Sequence, residues 1–179
     1  MNEPRSAGHL VSIDALAGRD LLPAARSFLK SRPHQDGGFS TWDASHIFYE
    51  LPGLESGDLP SPRTLLLLYA ADLRFRLRWE IQPALELGQL VVAIPYVETG
   101  IAFGLANGLP QKWLEELFHF APAAAESFWL NGDAALASSK DGFLEFCGDI
   151  LSRDFFERFA EYFAELQNCG KCKPLALRV

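Results

Sequence analysis

Little in this chain marks a specialised class. Three cysteines among 179 residues cannot build the disulfide framework of a small secreted domain, which points to a reducing compartment. No apolar run approaches the roughly 20 residues of a membrane helix. The longest, residues 65–71, is closed by Asp72 and followed by Arg74, Arg76 and Arg78. The opening residues, Met1-Asn2-Glu3-Pro4-Arg5, lack the apolar core of a secretory signal. Basic charge is scarce too: 16 Lys and Arg against 23 Asp and Glu leave a net −7, which repels phosphate backbones at long range. Internal repeats, low-complexity stretches, G-x-S-x-G, H-E-x-x-H and the dinucleotide fingerprint are all missing. The expectation is a cytoplasmic protein with neither nucleic acid nor membrane among its partners.

What is present is core. Hydrophobic residues make up 49% of the chain and charged residues 22%, the balance of one globular domain spanning residues 1–179. Residues 9–13 (HLVSI) read as a first strand. Over 19–31, Leu21, Leu22, Ala25, Phe28 and Leu29 fall on one helical face. Residues 39–42 form a second strand candidate. Ser61-Pro62 is a strong helix start, with Ser as cap and Pro in the first turn. That helix runs through Trp79 and Ile81, is bent or restarted at Pro83 and is ended by Gly88. Its apolar residues lie almost all round, so a homodimer contact over 62–79 is expected, with Leu66 and Phe75 as its probes. Residues 90–94 (LVVAI) have no polar alternation, as in a strand buried on both faces. A helix around 113–121, a strand at 127–130, a helix over 155–166 and a strand at 173–179 complete the order. Strands alternating with helices predict a three-layer α/β/α domain with a parallel sheet.

Residues 61–104 are more specific. Ser61-Pro62-Arg63-Thr64, then LLLLYAAD, then IQPALELGQLVVAIPYVETGIAF, resemble thymidylate kinases, which carry SPRTELLLFAADR, RPAL, a strand and DRY before a serine-containing helix. GLPQKWLEELFHFA and DFFERFAEYFAEL extend the likeness to nearly the whole chain. The resemblance implies a five-stranded parallel sheet of P-loop topology and a homodimer built on long helices.

The chemical positions are where this chain departs. A phosphate loop needs G-x-x-x-x-G-K-[ST]: glycines so that backbone N–H groups can surround phosphate, Lys for charge, a hydroxyl for Mg²⁺. Here only Gly18 stands; Ile13 replaces the first glycine, Arg19 the lysine and Asp20 the hydroxyl residue. Residues 14–20 are expected to make a tight turn into the helix rather than an anion nest. Ile94-Pro95-Tyr96 replaces DRY, Leu73 replaces the arginine of AADR, and the adjacent Arg74 is turned by about 100° on a helix. Trp42-Asp43 stands where the family has Arg-Glu, and residues 131–149 lack an arginine-rich lid. The surviving matches are aromatic: Tyr69 at the base-stacking position, Tyr96 and Phe103 at the acceptor wall.

Cys169-Gly-Lys-Cys172 has no partner motif for zinc and reads as a turn, with metal and redox roles as alternatives and no metal site expected. Arg74 and Arg78 share a helix face while Arg76 points elsewhere, either as a solvated or dimer-edge face or as residual phosphate binding. Three functions are weighed. The first is a non-catalytic binding or scaffolding homodimer, open to a further protein partner. The second is an active or altered nucleoside monophosphate kinase using Arg19, Asp20 and Asp43, with Mg and ATP. The third is a nucleotide sensor that binds a base through Tyr69 without transferring phosphate; the nucleotide-binding candidates are Gly18, Arg19, Tyr69, Arg74, Tyr96 and Phe103.

Overall fold

The computed structural model describes residues 8–16, 18–33, 35–51, 60–130, 142–147 and 151–175. Strand β1 (His9–Ala15) leads into α1 (Gly18–Lys30) and β2 (Gly37–Thr41). Next come α2 (Pro62–Arg76), a π-helical turn (Leu77–Ile81), α3 (Gln82–Glu86) and β3 (Leu90–Ile94). Helices α4 (Val97–Ala106) and α5 (Gln111–Phe118) precede β4 (Glu126–Leu130), and α6 (Phe143–Phe146), α7 (Arg153–Asn168) and β5 (Lys173–Leu175) close the order. All pairings are parallel, in the order β2-β3-β1-β4-β5, with Val11 opposite Val92 and Ile13 opposite Phe128.

Period-2 alternation divides the sheet into two cores. Val11, Ile13, Ala15, Val92, Ile94, Phe128 and Leu130 face α1, meeting Leu21, Ala24, Ala25 and Phe28. Leu10, Val91, Ala93 and Trp129 face α2, α4, α5 and α7. Trp129 stacks on Phe163 of α7 with centroids 3.8 Å apart. The protein is thus a three-layer α/β/α fold, and every residue of β3 is buried, as its unbroken apolar run required. Close approach of α4 to α5 depends on Gly104, where any Cβ would collide with Leu114.

Three boundaries differ from the sequence reading. Strand β1 runs on to Ala15, so Asp14 is a strand residue and not part of a loop. β2 starts at Gly37 and ends at Thr41; β5 is described from Lys173 to Leu175, and the rest of the expected strand, residues 176–179, lies outside the described residues. The long helix starts as expected, Ser61 Oγ accepting from Thr64 N–H at 3.3 Å. Before Pro83, which has no N–H and crowds the carbonyl four residues back, the helix widens by one π turn. Its all-round apolar character is mostly absorbed by the chain itself. Leu65, Leu66, Tyr69 and Leu73 are buried in the core, so Leu66 is no interface probe. Leu67, Phe75 and Trp79 stay 50%, 39% and 65% exposed.

Candidate functional site

Ligands of open α/β sheets bind outside the carboxyl ends of the strands. Here those ends are the last residues of β1, β2 and β3, roofed by α2, α4 and α6. The space is full.

Phe143 of α6 is 2% exposed, and its ring lies 4.7 Å from Tyr69 and 4.9 Å from Phe103. Phe48 adds an edge contact to Phe143 at 5.8 Å, and Trp42 packs on Phe48 at 5.1 Å. The two rings at the base-stacking and acceptor-wall positions are therefore buried against a third aromatic ring of the same chain. The Tyr69 hydroxyl is also used: it donates to the Tyr96 carbonyl at 2.6 Å. Tyr96 O–H in turn donates to the Pro122 carbonyl at 2.8 Å. Burial raises both phenols above their usual range.

At the phosphate-loop position Leu16, 4% exposed, joins the same core cluster as Tyr69, Tyr96 and Phe143. Residue 17 lies outside the described residues, so the shape of the turn expected over 14–20 is not described. Gly18 opens α1, and Arg19 Nε lies 3.9 Å from Asp20 Oδ1, both side chains about one third exposed.

Asp14 points into the protein. Its Oδ1 accepts from Tyr96 N–H at 3.0 Å, Thr99 N–H at 3.3 Å and Thr99 O–H at 2.7 Å. Tyr96 is the N-cap residue of α4 and supplies no side-chain cap, so a β1 carboxylate satisfies the helix N-terminus instead. Burial raises Asp14 from 3.8 to about 6 and outweighs the hydrogen bonds that favour the anion; Glu98 adds to the rise.

Asp43 is likewise consumed by the fold. It sits in a turn at φ 57°, and its carboxylate accepts from Phe48 N–H at 2.9 Å and Tyr49 N–H at 3.0 Å. Burial raises its pKa, with those two bonds opposing. Asp72 accepts from Asp43 N–H at 3.1 Å and from Ser45 N–H and O–H at 2.9 and 2.8 Å. Arg74 lies off the site on the outer face of α2, its Cζ 5.2 Å over the Phe120 ring. Ile94 and Leu73, which replace the family's charged residues, are buried apolar residues at 2% and 0% exposure. No group of three or more metal-ligating side chains occurs among the described residues. Cys169 is exposed and Cys172 buried, both as free thiols, with Gly170 between them at φ 74° in a turn after α7.

The sequence separates Arg76 from the face shared by Arg74 and Arg78 without giving it a destination; it is fully buried. Its Nε donates to Ser40 Oγ at 2.9 Å, Nη1 to the Pro95 carbonyl at 2.9 Å and Nη2 to the Ser40 carbonyl at 2.7 Å. Ser40 O–H donates onward to Glu80 at 2.5 Å. One guanidinium thus ties α2 to the ends of β2 and β3. The signal was available, since Arg76 lies i+3 from Leu73 and i+7 from Tyr69, on the inner arc.

The chain is 28% identical over 124 residues to a thymidylate kinase of Synechococcus, and 32% identical over 119 residues to one of Thermomicrobium roseum. A probable thymidylate kinase of Pyrococcus abyssi is 39% identical over 80 residues. These matches cover 66%, 66% and 45% of this chain but 58%, 53% and 33% of the relatives, about half their length or less. No family model matches. In three dimensions the chain superposes on a thymidylate kinase of Ehrlichia chaffeensis with TM-score 0.68 at 12% identity, covering 94% of this chain and 90% of that one. At that identity the likeness is one of fold. No helix among the described residues is long and apolar enough to cross a membrane.

Proposed function

From a chain that is thymidylate-kinase-like in sequence and in fold, we propose a protein that keeps the architecture of those kinases without phosphoryl transfer. It serves as a non-catalytic binding or scaffolding subunit, paired with a second copy through α2. The observation that carries this reading is Phe143 seated against Tyr69 and Phe103 at 4.7 and 4.9 Å, with Leu16 buried at the phosphate position. An acceptor base would have to displace an aromatic core. Residues 13–20 do not fit Mg·ATP: Asp14 is committed to α4, Arg19 faces Asp20, and no hydroxyl follows Arg19. Phosphoryl transfer rests on positioned charge. One lost donor in such a site commonly costs about 3–4 kcal/mol of transition-state stabilisation. Losing the Lys, the hydroxyl, the Asp-Arg pair and the AADR arginine leaves little to catalyse with.

Calorimetry with Mg·ATP and with dTMP tests this directly. The expected result is no binding heat at sub-millimolar ligand and no ADP formation above background. ADP formation that disappears in Arg19→Ala would reverse the conclusion and favour an altered nucleotide kinase working through Arg19, Asp20 and Asp43. Saturable nucleotide binding without turnover would favour the sensor.

A further inference from the structure

Helices α1 and α7 lie on opposite faces of the sheet, α1 against Ile13 and Phe128, α7 against Trp129. α1 leaves the carboxyl end of β1, and α7 returns to the amino end of β5. In a wholly parallel sheet both therefore run the same way, antiparallel to the strands. On each helix three charges of one sign recur at i, i+7 and i+11: Arg19, Arg26 and Lys30 on α1, and Asp154, Glu161 and Glu165 on α7. At about 100° per residue, these positions return to within about 20° of one line along the helix. Both lines turn away from the core. Leu21, Ala25 and Phe28 hold the opposite side of α1, and Phe155, Phe159 and Phe163 bury the far side of α7. Beside the line, at i+4, α1 carries Pro23 and α7 carries Arg158. The spacing works against each helix on its own, since Arg26 with Lys30 and Glu161 with Glu165 are like charges four residues apart. None of these four enters an ion pair among the described residues, whereas Arg153 on α7 is paired with Glu157 at 3.1 Å.

We infer that α1 of one copy of the chain docks along α7 of the next, pairing Arg19 with Asp154, Arg26 with Glu161 and Lys30 with Glu165. The occupant is a second copy because the complement of each line stands on the same chain, at the same spacing, over about 16 Å of helix. The direction agrees as well. A parallel register sets Pro23 opposite Arg158, so no like charges meet. An antiparallel register would lose one of the three pairs and set Arg26 against Arg158. Stacking one sheet on the next with little rotation brings α1 onto α7 already parallel. Such a contact is heterologous: every copy added leaves a free α1 on one side and a free α7 on the other, so growth continues past two. It uses a surface apart from α2 and is independent of the pairing proposed above. Held by exposed ion pairs, the stack is weak and salt-sensitive.

Sedimentation velocity of the full chain, from micromolar to millimolar concentration at low and high salt, tests the stack. Species larger than a dimer should appear at low salt and vanish at high salt. Arg26→Glu with Lys30→Glu should weaken the association by at least about tenfold, as should Glu161→Lys with Glu165→Lys. An equimolar mixture of the two double variants should restore the series, because each reversed helix finds its complement on the other variant. The quadruple variant should associate by itself. All four positions are exposed, so thermal melting should confirm that each variant folds. If the parent series stops at a dimer that both variants still form, the stack is wrong and the pairing through α2 stands. A parent chain that stays monomeric at millimolar concentration refutes both. Double variants that grow like the parent, or a mixture that restores nothing, refute the contact between α1 and α7.

Discussion

Replacing Asp14 with Asn should make the protein more stable at neutral pH than at acid pH, relative to the parent. Asp14 is fully buried, and its proton is held to about 6 against an ordinary 3.8. The folded chain therefore binds a proton over a range where the unfolded chain has lost it. Stability from this group is fully present below about 3.8 and is lost as pH rises through about 6. At 1.36 kcal/mol per pH unit, that gap costs of order 3 kcal/mol by pH 7.5, of which about 2 kcal/mol accrues above pH 4.5. Asn has the same shape and no charge. Its carbonyl can keep all three donors from Tyr96 and Thr99. Its amide needs an acceptor in return, and an unmet buried donor costs about 1–3 kcal/mol at every pH. The robust quantity is therefore the slope. Urea unfolding at a series of pH values should show the variant gaining about 2 kcal/mol on the parent between pH 4.5 and 7.5. Glu126 works in the opposite sense: partial burial raises it, but Arg32, His9 and Lys173 hold it lower, so its stabilisation fades in acid. That contribution is common to both proteins and drops out of the difference. Parallel pH profiles for parent and variant would refute the account of Asp14.

Phe143→Ala should cost about 3–5 kcal/mol in urea unfolding, since a ring touching Tyr69, Phe103 and Phe48 is removed from a closed core; a loss under 1 kcal/mol would mean that α6 is not seated. Arg76→Ala should cost at least about 3 kcal/mol, because the Ser40 and Pro95 carbonyls lose their donors and a cavity opens; an exposed-arginine cost of a few tenths would refute the buried fork. In native protein a thiol reagent should label Cys169 quickly. Cys172, whose thiol is pushed by burial to about 12, and buried Cys147 should react only on unfolding; three equally fast thiols would contradict the packing after α7.

The elements that could be read from sequence were those with a period or a cap long enough to speak for themselves. LVVAI can only be an interior strand, and Ser61-Pro62 can only open a helix that its core then continues. The site was legible as a set of losses and illegible as a set of replacements. Phe143 lies in a four-residue helix, too short to show any period. Leu16 looks like a loop residue until β1 is seen to run to Ala15, which puts Leu10, Ser12, Asp14 and Leu16 in one file facing the aromatic helices. The phase of α2 sets Arg76 apart from Arg74 and Arg78, but no local pattern names its partners, because Ser40 and Pro95 lie on other elements. By sequence Asp14 falls in the phosphate-loop segment, because its partners Tyr96 and Thr99 lie more than 80 residues away and no local pattern reports a bond of that span.

An enzyme of this architecture must loosen at the carboxyl ends of its strands to admit and release ligands, so its backbone there opens at low energetic cost. In the non-catalytic protein proposed above, the aromatic filling around Phe143 removes that need and reverses the gradient. Amide protons of residues 12–14, 93, 94, 96 and 99–103 sit beneath Tyr69, Phe103 and the Asp14 cap, with no cheap local opening available to them. Their deuterium uptake should wait for global unfolding, making the would-be cleft the slowest-exchanging part of the molecule. The earlier-exchanging backbone then belongs to the outer edge of β2, where Gly37, Gly38 and Phe39 face solvent at the sheet's margin.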